Sequence, residues 1–252
     1  MESNPSDLSP SPPKTKPPNP TKPTPDFLIH LEAYLAKRDG VDKLLKISRY
    51  ATKIILSAHL ITPTHPLHRR LKTFESSVGL SRKAFRLGKF IQDVNSLRSA
   101  KLESKNDIIL AIIAYGGEGL YYFVEQFVWL AKSGLIDAKH SRILQRISAW
   151  AELIGYVGSV SLKIGDLKAI SMEEAEIRVR RKDCTEIEDR ELEKLGEKKV
   201  MKRLSLVQDV ADGLMAVADI RDGKGRLSGP LVVASAGMLS AIISARKNWL
   251  SC

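Results

Sequence analysis

Apolar residues recur every three or four positions from residue 26 onward, which is the spacing of amphipathic α-helices. The first such segment has them at Leu28, Leu31, Leu35, Val41, Leu44, Leu45 and Ile47. The dipeptide Asp39-Gly40 predicts a break between two helices, and Pro63 and Pro66 predict a loop. No segment combines sustained strand-like alternation with hairpin dipeptides at its ends. The pattern therefore predicts an all-α fold.

The same periodicity predicts helices along the rest of the chain. They cover residues 72–101 as one long helix, an apolar run capped by Asn106-Asp107, and residues 141–171, 208–220 and 227–245. Residues 172–206 mix charges of both signs at a density typical of a solvated helix.

Composition divides the chain into a leader, one domain and a tail. Residues 1–25 are crowded with proline and lack the apolar core of a signal peptide, so they are predicted to be a disordered leader. A single helical domain is predicted over residues 26–247, and residues 248–252 form a short tail. The predicted parts of the domain are amphipathic helices (26–106), apolar helices (107–170), a charged helix (171–206) and a C-terminal hydrophobic helix (207–247).

The stretch SRKAFRLGKFIQDV, residues 81–94, carries basic and apolar residues on opposite sides of a helix. Its basic residues are Arg82, Lys83, Arg86 and Lys89, and its apolar stripe, together with the preceding Leu80, is Leu87, Ile91 and Val94. Two interpretations fit: a core helix with a solvated back, or a helix lying on an anionic membrane.

Energies bear on the choice between these two interpretations. Four cations near an anionic surface contribute roughly 4 kcal/mol, and each fully buried apolar side chain adds roughly 1.5–3 kcal/mol. Reversible binding to an anionic phospholipid membrane is therefore predicted for these eight residues, and it requires both faces. Periodicity alone favours the core helix, because amphipathic helices are common in soluble proteins.

Two apolar runs are long enough to enter a bilayer, so one or two transmembrane or membrane-embedded helices are predicted. Residues 227–245 contain no charge and would cover about 28 Å as a helix, which makes them the better candidate. Gly237, Ala241 and Ala245 form a small-residue face there that predicts helix–helix association. The run over residues 108–130 is weaker, because Glu118 and Glu125 share one face and would be costly in lipid.

Charge and motifs restrict the function. The formal net charge of +11 favours a polyanionic partner. Aromatic residues are only 6% of the chain and concentrate in an apolar run rather than among Lys and Arg, which favours a membrane over nucleic acid. The two cysteines imply no disulfide framework. Without a nucleophile, phosphate-loop or metal motif, no enzyme activity, cofactor or metal site is predicted.

Two blocks at a characteristic distance, RDGVDKLLKISRYATKIIL (38–56) and SRKAFRLGKFIQDVNSL (81–97), resemble the peroxin-11 family of peroxisomal membrane proteins, plant members above all. The end of the chain, LVQDVADGLMAVADI and LSGPLVVASAGMLSAIISARK, is similar to that family's hydrophobic part. The resemblance covers roughly residues 26–247.

The resemblance implies a peroxisomal membrane protein with a cytosolic N-terminus that elongates the membrane before fission and so raises peroxisome number. It implies insertion of the 80–94 helix, self-association, and cooperation with a tail-anchored fission adaptor and a dynamin-related GTPase. A channel for small metabolites, with Glu118 and Glu125 lining the path, is the serious alternative. A soluble helical scaffold is the remaining one.

Overall fold

A computed structural model describes residues 26–100, 104–180 and 186–252. Its α-helices are α1 (Phe27–Ala36), α2 (Arg38–Ser57), α3 (Pro66–Phe85), α4 (Phe90–Ser99), α5 (Lys105–Lys132), α6 (Ser141–Arg180), α7 (Glu186–Ile220) and α8 (Pro230–Leu250). Short 3₁₀ turns cover Ala138–His140 and Arg226–Ser228. No strand occurs in these ranges, and the predicted all-α, membrane-associated class is confirmed.

Side-chain caps start several helices close to where the sequence predicts them. Asp26 accepts a hydrogen bond from the Leu28 amide at 3.1 Å and so caps α1. The His65 ring accepts one from the Leu67 amide at 3.1 Å, and Pro66 occupies the first helical position of α3, where proline is tolerated. Ser104 caps α5, two residues before the predicted Asn106 cap.

The prediction of one long helix over residues 72–101 is wrong. α3 ends at Phe85 and α4 begins at Phe90, because Gly88 adopts a left-handed φ of +72° that interrupts the helix. The Arg38 guanidinium donates to the Leu87 carbonyl at 2.7 Å, so a backbone acceptor freed by the break is satisfied.

The helices close into a ring. α2 packs between α8 and α3, α5 packs against α3, α4 and α6, and α7 packs between α6 and α8. α1 lies outside the ring on α2, and its rings of Phe27, His30 and Tyr34 contact Trp249 near the end of α8. A cavity of about 1180 Å³ lies within the ring and is lined from α2 to α8.

The polarity of this ring is inverted relative to a water-soluble bundle. Charged side chains such as Asp42, Lys46, Arg82, Glu125 and Asp212 are buried. Large apolar side chains are exposed on most helices, among them Ile109, Ile112, Leu120 and Phe123 of α5, Ile147, Trp150, Ile154 and Val157 of α6, and Leu231, Leu239 and Ile242 of α8. Such an exterior is typical of a chain that faces hydrocarbon and keeps its charges inside.

One helix in the described ranges, α5, is long and apolar enough to cross a membrane by length and composition. Residues 227–245, predicted as the better candidate, do not meet this criterion, because α8 begins only at Pro230 and its uncharged part ends at Ala245, before Arg246 and Lys247. In α5, Glu125 faces the interior, where it is 6% exposed, so its charge does not face lipid.

Two predicted boundaries do not coincide with helix ends. α6 continues to Arg180, and α7 runs unbroken from Glu186 to Ile220, so the boundary predicted at residue 206 falls inside a helix. The leader predicted over residues 1–25 lies outside the described residues.

Candidate functional site

The apolar residues of the 80–94 stretch lie on the outside of the ring. Leu87, Ile91 and Val94 are 48%, 53% and 49% exposed, while Leu80 is half-buried in α3. We call Leu87, Ile91 and Val94 the outer apolar face. Its residues come from the α3–α4 break and from α4, and each leaves about half of its surface uncovered by the chain.

The basic residues of the same stretch face inward. Arg82 is 3% exposed, and the side chains of Lys83, Arg86 and Lys89 are 16–17% exposed. The sequence pattern placed the two faces correctly on opposite sides, but the cationic side lies against protein in this conformation. A role of these four residues in membrane binding stays a prediction, and it would require that they leave their present partners.

Three cations lie around the carboxylate of Asp42. Arg82 Nε donates to Asp42 Oδ1 at 3.0 Å, Arg86 Nε lies 3.8 Å from the same oxygen, and Lys43 Nζ lies 3.3 Å from Asp42 Oδ2. Asp42 is 2% exposed. These four residues form what we call the Asp42 cluster, and it joins α2 to the end of α3.

The Asp42 cluster shifts the pKa values of its members. Burial raises the pKa of Asp42, but the charges of Arg86, Arg82 and Lys43 outweigh it and hold that pKa well below its usual range. Burial, together with the charge of Lys89, lowers the pKa of Lys43 to about 7. The guanidinium groups of Arg82 and Arg86 alone carry more positive charge than the single carboxylate of Asp42 balances.

Further ion pairs and hydrogen bonds connect the helices around the cavity. Lys46 Nζ donates to Asp212 Oδ1 at 2.9 Å and to Ser240 Oγ at 2.6 Å, which ties α2 to α7 and α8. Lys83 Nζ donates to both oxygens of Glu125 at 2.5 and 2.6 Å, and this pair ties α3 to α5. Buried pairs of this kind fix the relative positions of helices and are costly to break from one side.

The α3–α4 break is held by contacts of its own. Arg86 Nη1 donates to the Tyr121 hydroxyl at 2.7 Å, and Lys89 lies 3.4 Å from an Asp39 carboxylate oxygen and 5.1 Å from the centre of the Tyr122 ring. These contacts keep Arg86 and Lys89 inside while Leu87, between them, faces outward.

α4 packs along the middle of α5. The Phe90 ring packs edge-on against Phe123 at 5.5 Å between centroids, and a Cβ on Gly119 would lie 3.5 Å from the Cβ of Asp93. Because later residues of α4 contact earlier residues of α5, the two helices are antiparallel. Phe90 therefore lies beside the second half of α5, and Asp93 lies near its midpoint.

Asp93 is the polar residue on the inner side of α4. It is buried, lines the cavity, and has one carboxylate oxygen without a hydrogen-bond partner. Burial raises its pKa to about 6. The inward side of α4 thus carries a polar group, while its outward side is apolar.

The small-residue face of α8 is used within the chain. Gly237 and Ala241 are buried and Ala245 is half-buried, and a Cβ on Gly237 would lie 2.2 Å from the Tyr50 ring. This close approach lets α8 pack on α2. Association between copies through this face stays a prediction.

Sequence analysis missed Asp42, Asp212 and Ser240 as partners of the basic residues. A usable signal exists, because Asp42 and Lys46 stand four apart on α2 and Glu118 and Glu125 stand seven apart on α5. Charges recurring on one helical face of several helices indicate a shared polar interior. No cluster of three or more His, Cys, Asp or Glu side chains suited to a metal ion occurs in the ranges that the structure describes.

Comparisons with known proteins agree along nearly the whole chain. A family model described as peroxisomal biogenesis factor 11 (PEX11) matches residues 28–249. The chain is 65% identical over 233 residues to peroxisomal membrane protein 11A of Arabidopsis thaliana, which covers 90% of this chain and 94% of that protein. It is 55% identical over 227 residues to peroxisomal membrane protein 11-3 of Oryza sativa subsp. japonica, with 90% of each chain covered.

A third relative, peroxisomal membrane protein 11-2 of Oryza sativa subsp. japonica, is 45% identical over 238 residues, which cover 92% of each chain. No solved structure matches the chain.

Proposed function

Because the chain belongs to the peroxisomal biogenesis factor 11 (PEX11) family, we propose that it elongates the peroxisomal membrane and promotes peroxisome division by inserting its outer apolar face into one leaflet. Family membership makes it a peroxisomal membrane protein, consistent with a role in peroxisome proliferation. The membrane-shaping step and a cytosolic N-terminus are the parts proposed.

The observation that carries this proposal is the exposure of Leu87, Ile91 and Val94 beside a polar interior. Placing these half-exposed side chains in lipid would contribute roughly 2–4 kcal/mol, since full burial of each contributes roughly 1.5–3 kcal/mol. Without a membrane the three side chains stay exposed to water, and this stabilisation is not gained.

If α5 crosses the bilayer, α4 packs beside the middle of that crossing with its outer apolar face exposed to lipid. Insertion is proposed to occur from one leaflet, as the family resemblance implies. Material added to one leaflet expands it relative to the other, which favours curvature. This arrangement differs from a helix lying on the surface with its cations toward headgroups, because those cations are inside.

Contact with anionic headgroups falls instead to the start of α3. Arg69, Arg70 and Lys72 are exposed there. Each cation near an anionic surface contributes about 1 kcal/mol, so these three would supply a salt-sensitive part of the attraction.

The family resemblance extends the proposal to partners. It implies that copies associate on the membrane and that a tail-anchored fission adaptor and a dynamin-related GTPase act on the elongated membrane. The exposed apolar surfaces of α5, α6 and α8 are available to other copies as well as to lipid.

The test reconstitutes the full chain into vesicles containing anionic lipid and scores tubules by electron microscopy. A variant carrying Leu87→Ser, Ile91→Ser and Val94→Ser should fold as the wild type, because the three side chains are about half-exposed and take part in none of the buried ion pairs, and it should lose tubulation. A matched variant carrying Leu60→Ser, Leu67→Ser and Phe74→Ser removes three apolar groups that are at least about as exposed (42–71%), away from α4, and should retain tubulation. Equal tubulation by the two variants would contradict insertion through α4.

A second candidate function is a channel for small metabolites, and the polar cavity within the ring favours it. The cavity is lined by Glu118 and Glu125 of α5, as well as by cations from α2 and α3. Charged groups inside an apolar exterior are typical of permeation paths.

The channel is tested by conductance across planar bilayers. Glu118→Gln should alter the ion selectivity of the conductance, and it leaves the Lys83–Glu125 pair intact. Vesicles that tubulate without any conductance would exclude the channel and leave the membrane-shaping proposal standing.

A further inference from the structure

The Asp42 cluster carries more positive than negative charge. Lys43, Arg82 and Arg86 all lie within 4 Å of the single carboxylate of Asp42. Lys46, the next cation on α2, donates to Asp212 and Ser240, so its charge is balanced by Asp212 and not by Asp42. Three cations therefore depend on one buried anion.

Two donors of the cluster lack a hydrogen-bond partner. Arg82 Nη2 and Arg86 Nε are buried and donate to no acceptor, although Arg86 Nε lies within ion-pair distance of Asp42. A buried guanidinium N–H without an acceptor is costly, and such groups in native proteins are usually completed by water or an ion.

The cluster borders a space that can hold such an ion. Lys43, Arg82, Arg86 and Lys89 all line the cavity of about 1180 Å³. Lys89 belongs to the same wall, and its Asp39 partner is 40% exposed at the side chain, so that pair is weak. Acids line the cavity as well: Glu75 of α3, Asp93 of α4, Glu118 and Glu125 of α5, Glu152 of α6, Asp209, Asp212 and Asp219 of α7, and Asp222 after α7. Glu125 and Asp212 bind Lys83 and Lys46, and Asp93 is the acid of α4 that interacts with Lys89. The cationic wall is therefore formed by α2, the end of α3 and the α3–α4 break.

We propose that Lys43, Arg82, Arg86 and Lys89 form a binding site for a phosphate group on this wall of the cavity. A phosphate offers several acceptor oxygens and more than one negative charge, which matches a surplus of cations with unfilled guanidinium N–H groups. The phosphate can come from a free anion or from the headgroup of a lipid.

The ionisation of Lys43 fits this assignment. Its pKa is lowered to about 7 by burial and by the charges of Lys89, Arg86 and Lys46, against the opposing effect of Asp42. A bound anion would restore the proton on Lys43. The change in phosphate affinity from pH 6 to pH 8 should therefore be less favourable for the wild type than for a variant without Lys43. The comparison with that variant removes the effects of phosphate's own ionisation and of Asp93, whose pKa of about 6 lies in the same range.

The experiment uses the full chain in phosphatidylcholine nanodiscs. Isothermal titration calorimetry measures binding of inorganic phosphate, with sodium chloride at equal ionic strength as the reference. A second arm compares thermal unfolding in nanodiscs with and without phosphatidic acid, which supplies the same group on a lipid.

The probe variant carries Lys43→Gln and Lys89→Gln, which leaves Arg82 and its pair with Asp42 in place. The matched control carries Lys53→Gln and Lys132→Gln, which removes the same charge from the same cavity. Lys53 lies ten residues further along α2, about 15 Å from Lys43. We expect the probe variant to bind phosphate at least about tenfold more weakly, and the control to change less than about twofold.

Each outcome has a definite meaning. Binding of inorganic phosphate that the probe variant loses supports the site with a soluble ligand. Stabilisation by phosphatidic acid alone, lost in the probe variant, supports it with a lipid ligand. No phosphate-specific effect in either arm, or equal losses in both variants, overturns it. Tubulation is not measured here, so failure of this site and failure of the membrane-shaping proposal are separate results.

Discussion

Removing the charge of Asp42 should destabilise the fold far more than removing a neighbouring charge. Asp42→Asn preserves the shape of the side chain and an oxygen that can still accept from Arg82 Nε. It leaves Arg82, only 3% exposed, without a counter-charge in the interior. Breaking a buried ion pair from one side costs roughly 3–5 kcal/mol, and here two further cations lose the same partner.

Asp39→Asn is the matched control. It is the same substitution one helical turn earlier on α2, at a carboxylate that is 40% exposed and pairs with Lys89 at 3.4 Å. An exposed pair of this kind contributes roughly 0–1 kcal/mol. Chemical unfolding in detergent micelles, followed by circular dichroism at pH 7, measures the free energy of unfolding of both variants. Losses that agree within about 1 kcal/mol would refute the role assigned to Asp42.

The same pair of variants has a pH signature. Burial raises the pKa of Asp42, and the cations Arg86, Arg82 and Lys43 more than reverse this, so the pKa in the folded state lies well below the unfolded value of about 3.9. The stability from this carboxylate is therefore present above about pH 4 and is lost as the pH falls toward the folded-state pKa. Asp42→Asn should lose part of the acid sensitivity that Asp39→Asn keeps.

Two further predictions concern glycines and a lysine. Gly237→Ala should cost about 1–3 kcal/mol of unfolding free energy, because its Cβ would lie 2.2 Å from the buried Tyr50 ring, whereas Gly165→Ala, in open space on α6, should gain about 0.5–1 kcal/mol. Denaturant titration of both variants measures the difference, and a gain for both would show that Tyr50 yields freely. Burial and the charge of Lys89 lower the pKa of Lys43 to about 7, so the folded state releases a proton that the unfolded chain keeps to about pH 10, and stability should rise between these values. Lys43→Gln should flatten that rise in unfolding experiments at pH 7 and 9.5, and an unchanged slope would contradict the shift.

The helical class and most helix positions could be predicted, because period and proline are local signals. Pro66 begins α3 and Pro230 begins α8, since proline is accepted at the first helical position. The break at Gly88 could not, because a single glycine is compatible with a helix and its left-handed φ depends on the contacts of Arg38, Arg86 and Lys89 with other helices.

The sequence predicts that basic and apolar residues of the 80–94 stretch lie on opposite sides of a helix, but it does not predict which side faces the interior of the protein. Periodicity shows that Arg82 and Ile91 lie on different sides of a helix, and it says nothing about which side meets solvent, lipid or protein. That choice depends on Asp42, 40 residues away in sequence, and on Glu125, 42 residues from Lys83. Only the packing of α2, α3 and α5 brings these charges together.

The inward direction of the cations changes how charge reversal in this stretch must be interpreted. A membrane-surface helix would lose lipid contact on reversal of Arg82, Arg86 and Lys89, and the fold would be unaffected. Here Arg82 and Arg86 pair with Asp42, and Lys89 pairs with Asp39, so reversal sets like charges against each other inside the ring.

Loss of tubulation after such a reversal would therefore report an unfolded bundle as readily as a lost headgroup contact. The residues that separate these causes lie on the outside. Leu87, Ile91 and Val94 test insertion, and Arg69, Arg70 and Lys72 test the attraction to headgroups, because both sets can be changed without breaking a buried pair. These two tests are independent of folding because the changed residues lie on the outside, whereas the ion pairs that hold the helices together lie inside. An apolar surface places the chain in lipid, and the buried charges hold the helices in the ring that presents this surface.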